Sequence, residues 1–136
     1  MPFKQYSMKA IIAKNALGFI GLDGGLPFYC KDDLRHFAKL TAGCTLLAGY
    51  NTSLQLPPLK DRVVIVAPRH GIFRHCEIID WCIGGAATYE KYAHLFTELH
   101  ISTIVDDFTE GDTLMPKLKN LNPNCEIFNY QFRKKA

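Results

Sequence analysis

The chain has 136 residues, 48% of them hydrophobic and 21% charged, which is typical of one globular domain and excludes a mainly disordered, collagen-like or coiled-coil protein. Sixteen Lys and Arg residues against thirteen Asp and Glu residues give a net charge of only +3, which is too weak to indicate nucleic-acid binding. The five cysteines form no C-x-x-C pair, which argues against a disulfide framework or a zinc site and favours the reduced cytoplasm.

The N-terminal segment and the apolar runs bear on location and domain organisation. No apolar run approaches the ~20 residues of a membrane span, and residues 1–7 lack the apolar core of a secretory signal. Met8 is a second possible start, so we expect residues 1–7 to be an extension and residues 8–136 to form one domain. We expect a cytoplasmic monomer with no nucleic-acid, membrane or metal partner.

Predicted strands and helices alternate along the chain. In chain order the pattern predicts a strand over 9–14, a helix over 32–41, strands over 45–48 and 62–67 with a short helix over 50–55 between them, a strand over 81–83, a helix over 86–96, a strand over 99–105 and a late antiparallel strand over 124–132. The strand over 62–67 is apolar after its first residue, as in a strand covered on both faces. This order predicts an α/β domain with a central mixed, mostly parallel sheet flanked by helices.

Glycines stand at two junctions between a predicted strand and a predicted helix, one at Gly49 and one at Gly84-Gly85. Glycine lets a ligand approach the backbone there, and free N–H groups at a helix start bind anions. Two such junctions are able to hold the phosphates of a dinucleotide, although simple tight turns explain each junction equally well. Neither junction matches G-x-G-x-x-G or a P-loop.

The helix over 32–41 carries a candidate ligand-binding carboxylate. Asp33 and Phe37 are four residues apart and project from one helix face. A carboxylate beside an aromatic ring can hold a planar, amidine-like heterocycle by paired hydrogen bonds. The alternative is that Asp33 only stabilises the helix start, as we expect of its neighbour Asp32.

Several short segments follow one another at a characteristic spacing. They are Ile11-Ile12-Ala13, Ile20-Gly21, Leu26-Pro27-Phe28, Asp33-Leu34-Arg35-His36-Phe37, Gly49-x-x-Thr52, Leu59-Lys60-Asp61-Arg62, Ile83-Gly84-Gly85 with Tyr89, and Glu110-Gly111-Asp112-Thr113 with Pro116. In this order and at this spacing they resemble the dihydrofolate reductase family over residues 8–116. The resemblance implies an α/β fold with an eight-stranded sheet. It also implies reduction of 7,8-dihydrofolate to tetrahydrofolate, with hydride supplied by NADPH, as a step of one-carbon metabolism.

The resemblance also implies roles for particular residues. It assigns catalysis to Asp33, Leu26 and Tyr89. It assigns dihydrofolate binding to Asp33, Leu34, Phe37, Phe28, Leu59, Arg62 and Thr103, with the Thr103 hydroxyl supporting Asp33 and Arg62 pairing with the glutamate tail. It assigns NADPH binding to Ala13, Ile20, Gly49, Thr52, Arg69, Ile83, Gly84, Gly85 and Ala86, with Arg69 at the 2′-phosphate.

The sequence departs from the family pattern at several places. Phe28 replaces a usual tryptophan, Tyr50 a common phosphate-binding arginine and Ala86 a usual glycine. The stretch from Ala67 to Ile83 and the C-terminus are short, so we expect a reduced adenine side and a missing last strand. Two alternatives stay open: a related reductase of a riboflavin-pathway pyrimidine, and a non-catalytic nucleotide-binding module. Arg62 discriminates against the first, because a folate tail needs a cation there and a riboflavin precursor does not.

Overall fold

A computed structural model describes residues 8–22, 26–27, 29–105 and 110–134. The strands are β1 (Met8–Asn15), β2 (Phe19–Gly21), β3 (Thr45–Ala48), β4 (Val63–Val66), β5 (Trp81–Cys82), β6 (Phe96–Val105), β7 (Thr113–Leu114) and β8 (Glu126–Arg133). The helices are α1 (Lys31–Thr41), α2 (Tyr50–Gln55) and α3 (Ala86–Tyr92), and short 3₁₀ turns cover Cys76–Ile78 and Ala93–Leu95. The predicted α/β class is confirmed.

The main sheet has six strands in the order β4-β3-β5-β1-β6-β8, and every neighbouring pair is parallel. The mixed sheet of the prediction is therefore replaced by an all-parallel one. The described residues supply six strands to it rather than the eight that the resemblance implies. The antiparallel pairing in the described residues lies outside this sheet, in the ribbon of β2 and β7.

The prediction that the last strand is antiparallel is wrong. The N–H of Asn122 donates to the carbonyl of Ala93, just before β6, at 3.3 Å. The chain therefore enters β8 at the end of the sheet where β6 begins, and β8 runs beside β6 in the same direction.

The prediction that the strand over 62–67 is covered on both faces is also wrong. β4 is an edge strand, and Val63 and Val66 are 59% and 46% exposed. An unbroken apolar run is thus compatible with an edge position as well as with a central one.

Alternate residues of each strand face opposite sides of the sheet. On one side Ile11, Leu46 and Trp81 pack with Phe37 of α1. On the other side Ala10, Ile12, Leu47 and Cys82 pack with Tyr89 and Tyr92 of α3. Because both faces of the central strands are covered, the carboxyl ends of β1, β3 and β5 meet at one buried edge, where ligands bind in open α/β sheets.

Candidate functional site

A cleft of about 1220 Å³ opens at the carboxyl ends of the central strands. Most of the predicted site residues line it: Ala13, Ile20, Leu26, Asp33, Leu34, Phe37, Gly49, Thr52, Leu59, Arg62, Arg69, Ile83, Gly85, Ala86 and Tyr89. Gly84 and Thr103 are not in the lining, and Phe28 falls outside the described residues. The fold therefore brings fifteen of the predicted positions to one continuous surface.

Asp33 is the buried carboxylate of the cleft. It lies in the first turn of α1 and is only 6% exposed. Burial raises the pKa of its carboxyl to about 6, with a smaller opposing effect from the hydroxyl of Ser102. Asp32 instead turns outward, where its Oδ1 lies 3.6 Å from a guanidinium nitrogen of Arg35. The two adjacent carboxylates therefore have different environments, and only Asp33 faces a ligand cavity.

The hydroxyl that acts on Asp33 belongs to Ser102, so the prediction of Thr103 is wrong. Ser102 is 1% exposed, and its hydroxyl makes no hydrogen bond of standard geometry with the described residues. Its effect on the Asp33 carboxyl lowers the pKa of that group, in opposition to burial. Thr103 pairs with Lys14 across β1 and β6 and, by strand alternation, faces the opposite side of the sheet from Ser102.

Arg62 is a half-buried cation of the same cleft. Its side chain is 12% exposed, and its Nε lies 3.6 Å from the Asp61 carboxylate, too far for a hydrogen bond. Leu59 lines the cleft nearby and packs with the cluster under α1. A guanidinium with an unsatisfied N–H at a cleft wall is suited to an incoming carboxylate.

The two glycine junctions pack against each other because β3 and β5 are adjacent strands. The N–H of Gly49 donates to the carbonyl of Gly84 at 2.6 Å, and the Gly84–Gly85 peptide is cis. A Cβ on Gly49 would lie 2.7 Å from Thr88 Oγ1, and one on Gly85 would lie 3.3 Å from Thr52 Oγ1. Any larger residue at Gly49 would displace the Thr88 side chain, and one at Gly85 would crowd the Thr52 hydroxyl.

Gly84, which is outside the lining, packs against Tyr89, which lines the cleft. Gly84 has a φ of +109°, and a Cβ there would lie 3.0–3.1 Å from the Tyr89 ring. The Tyr89 hydroxyl donates to the carbonyl of Ile11 at 2.6 Å, and burial raises its pKa well above the ordinary value. Tyr89 is therefore a neutral group whose proton is already committed to the backbone.

Two cations meet at the far end of the cleft. Arg69 follows β4 and is exposed at the lining. Lys91 of α3 also lines the cleft, and its Nζ donates to the carbonyl of Pro68 at 3.3 Å. Lys91 carries no signal in the sequence, because its place near Arg69 depends on its contact with the Pro68 carbonyl after β4. Tyr50 lies in the same lining where the family pattern has a cation.

The segment before α1 is held by the ribbon of β2 and β7. The Asp112 N–H donates to the carbonyl of Gly21 at 2.8 Å, and the Met115 N–H donates to the carbonyl of Gly18 at 2.8 Å. A Cβ on Gly111 would lie 2.6 Å from the Gly21 carbonyl oxygen. Residues 111–115 thus fix the chain that carries Ile20 to the cleft.

This arrangement defines a class: a small α/β protein with a two-part ligand cleft, one part with a buried carboxylate and the other with paired glycine junctions. The sequence model of dihydrofolate reductase matches residues 7–81. The dihydrofolate reductase of Bacillus subtilis is 28% identical over 82% of this chain and 77% of its own length. That of Mycoplasma pneumoniae is 30% identical over 77% of this chain and 80% of its own.

A solved structure agrees with these sequence matches. Dihydrofolate reductase from Enterococcus faecalis, complexed with NADP(H) and RAB-propyl, has a TM-score of 0.71 and 26% identity, covering 85% of this chain and 80% of that one. The chain belongs to the dihydrofolate reductase family, and the predicted family is confirmed. In the part of the chain that the structure describes, no helix is long and apolar enough to cross a membrane, and no group of three or more His, Cys, Asp or Glu residues is arranged to hold a metal ion.

Proposed function

We propose that this chain reduces 7,8-dihydrofolate to 5,6,7,8-tetrahydrofolate by hydride transfer, with NADPH as the donor. The observation that carries the proposal is the placement of Asp33, a nearly buried carboxylate in a cleft whose opposite part is formed by the glycine junctions. Membership of the dihydrofolate reductase family supports the same reaction. The cleft is large enough for two ligands side by side.

Asp33 holds the pterin ring. Above pH of about 6 its carboxylate accepts two hydrogen bonds, one from the 2-amino group and one from the adjacent ring N–H. Leu34 and Phe37 lie on the same helix and pack against the ring, with Leu26 facing it from the preceding segment. These contacts fix the plane of the ring, which aligns its reacting carbon for hydride transfer.

Arg62 receives the glutamate tail of dihydrofolate. Its guanidinium forms a bidentate pair with the α-carboxylate, while Leu59 covers the aromatic linker. A riboflavin-pathway pyrimidine carries no such carboxylate, so a half-buried arginine at this position favours the folate substrate over that alternative.

The remaining lining fits NADPH. Ala13 and Ile20 offer backbone groups to the carboxamide. Ile83, Gly85 and Ala86 line the space for the pyrophosphate together with Gly49 and Thr52, and Gly84, outside the lining, shapes the turn between Ile83 and Gly85. Arg69 and Lys91 pair with the 2′-phosphate, which compensates for Tyr50 at the position of the usual arginine. When bound, NADPH supplies the hydride.

The proton for the pterin ring nitrogen comes from water. Tyr89 does not donate it, because its hydroxyl is bonded to the Ile11 carbonyl and its pKa is raised. Asp33 is the acidic side chain in the part of the cleft where the pterin ring binds. Its negative charge favours the protonated form of the ring nitrogen. Its main role is therefore electrostatic, combined with binding.

The loss of NADPH absorbance with dihydrofolate tests the proposal directly. We expect turnover with dihydrofolate and none with the ribosylamino-pyrimidine of riboflavin synthesis. Binding of NADPH without turnover on either substrate would favour the non-catalytic alternative. We place the activity in the cytoplasm, with neither a nucleic-acid nor a membrane partner. We also place it in residues 8–136, so a chain starting at Met8 retains it.

A further inference from the structure

The outer edge of β8 is open within the described residues. β8 stands last in the strand order, and its pairing there is with β6, from Glu98↔Glu126 to Val105↔Arg133. The Lys134 N–H donates inward to the Val105 carbonyl. Because successive strand residues direct their backbone groups to opposite edges, the odd-numbered residues of β8 direct theirs outward. The four outward-directed residues of this eight-residue strand form a row of open backbone groups, which is a template for another strand.

The side chains of β8 make this edge partly apolar. Phe128, Tyr130 and Phe132 lie half-buried on one face, and the His36 ring packs against Tyr130 at 4.2 Å between ring centres. On the other face Ile127 is 52% exposed. Residues 127–132 carry no charge, so the middle of this edge lacks the charged side chains that usually protect an edge strand against pairing.

We propose that two copies of this chain pair through β8, antiparallel across a twofold axis at Tyr130, to form one continuous sheet. Opposing residues of an antiparallel pair point to the same side of the joined sheet. The corresponding faces of the two copies therefore lie on one side only if opposing residue numbers are both even or both odd. The register centred on Tyr130 meets this condition. It opposes Phe128 to Phe132 of the second copy and Asn129 to Gln131.

Charge complementarity selects this register. It places Glu126 at the start of one β8 opposite Lys134 just beyond the end of the other, so each dimer gains two opposite-charge pairs. The outward-directed residues 127, 129, 131 and 133 then form the hydrogen-bonded pairs, while Tyr130 meets its own copy at the close, non-bonded spacing. A second copy is thus a self-complementary occupant, in place of the monomer expected from the sequence.

The proposed interface leaves the cleft free. No residue of β8 lines the cleft, so dimerisation and turnover are separable in an experiment. The proposal does not depend on the chemistry of the site, and its failure would leave the proposed reaction untouched.

Sedimentation equilibrium of the full chain tests the pairing. We expect a concentration-dependent dimer, and Asn129→Pro abolishes it because proline removes an outward N–H and fills the edge. Proline is tolerated on an open strand edge, so this variant keeps its turnover. Asn129→Thr is the matched control and keeps the dimer. A parent chain that stays monomeric at every concentration, or a dimer that survives Asn129→Pro, overturns the proposal.

A charge swap tests the register. Glu126→Lys opposes two lysines at each end of the interface, and we expect the dimer Kd to rise about tenfold. Lys134→Glu has the same effect, whereas the double variant Glu126→Lys/Lys134→Glu restores the parent Kd. Equal Kd values for the single and double variants contradict the Tyr130-centred register even if a dimer forms.

Discussion

The hydroxyl of Ser102 acts on the carboxyl of Asp33, and it lowers a pKa that burial raises to about 6. Ser102 reaches Asp33 from β6, across the face of the sheet that α1 covers. The charge of the pterin-binding carboxylate therefore depends on a side chain sixty-nine positions later in the sequence.

Ser102→Ala should move the ionisation of Asp33 to higher pH. Without the hydroxyl, the opposing effect is lost and burial alone acts on the carboxyl. The ionised carboxylate accepts both pterin hydrogen bonds, so the Kd for dihydrofolate should rise as the pH falls below about 6 in the parent chain. In Ser102→Ala the same rise should have its midpoint at a higher pH. Calorimetric titration across pH measures both midpoints.

Thr103→Ala provides the control for that experiment. Its side chain faces away from Asp33, so the midpoint should equal that of the parent. A midpoint shift in Thr103→Ala with none in Ser102→Ala would show that the hydroxyl acting on Asp33 belongs to Thr103 and not to Ser102.

Arg62→Ala should raise the KM for dihydrofolate and leave the KM for NADPH unchanged. The loss of a charge-assisted pair with the tail carboxylate costs about 2–3 kcal/mol, or some thirty- to hundredfold. Arg62→Lys should also bind poorly, because an ammonium cannot form the bidentate pair. The matched comparison uses a pteridine without the glutamate tail. Equal losses for tailed and tailless substrates would place Arg62 outside the tail site.

Removing either cation at the far end of the cleft should reduce the preference for NADPH over NADH. Arg69→Ala and Lys91→Ala each lose one partly exposed contact to the 2′-phosphate, worth about 1–2 kcal/mol or roughly tenfold in kcat/KM with NADPH. Activity with NADH should stay near the parent value. The exposed Arg74, which is not in the cleft lining, supplies the control variant Arg74→Ala. An unchanged cofactor ratio in the double variant Arg69→Ala/Lys91→Ala would show that another group binds the phosphate.

Asp33→Asn should stabilise the ligand-free protein at neutral pH. The pKa of Asp33 is raised from 3.8 to about 6 on folding, so the folded state binds the proton more tightly than the unfolded state. Its contribution to stability is therefore complete below pH of about 4 and is lost as the pH rises through about 6. At pH 7 the variant should gain up to about 3 kcal/mol in the free energy of unfolding, at 1.4 kcal/mol per pKa unit. Urea unfolding at pH 4 and pH 7 measures it; an equal difference at both pH values would contradict the ionisation argument.

Much of the fold could be predicted from local patterns. The helix over 32–41 begins one residue earlier than predicted, and the strand over 45–48 and the helix over 50–55 match their observed bounds. Apolar stripes and glycine stops fix these elements locally. The three-residue β2 and the two-residue β7 could not be predicted, because they form only where the two segments meet.

The errors at the site also arise from contacts between segments that are distant in the sequence. The distinction between Ser102 and Thr103 depends on which face of β6 each residue occupies, and the sequence alone does not show which of two adjacent strand residues faces α1. Lys91 joins Arg69 only through its bond to the Pro68 carbonyl. The direction of β8 depends on where the chain re-enters the sheet, which local periodicity does not record.

The comparison of Asp33→Asn with Asp32→Asn in the dihydrofolate assay tests the central claim most directly. Asp33 lies in the cleft, whereas Asp32 pairs with Arg35 at the surface. Both variants replace a carboxylate by an amide, so they differ only in the position of the change. The loss of the charged pair of hydrogen bonds in Asp33→Asn costs about 2–4 kcal/mol in the transition state, or a hundredfold in turnover. We expect Asp32→Asn to keep the parent rate of NADPH loss. Equal rates for the two variants, or a parent chain that does not oxidise NADPH with dihydrofolate, would contradict the account.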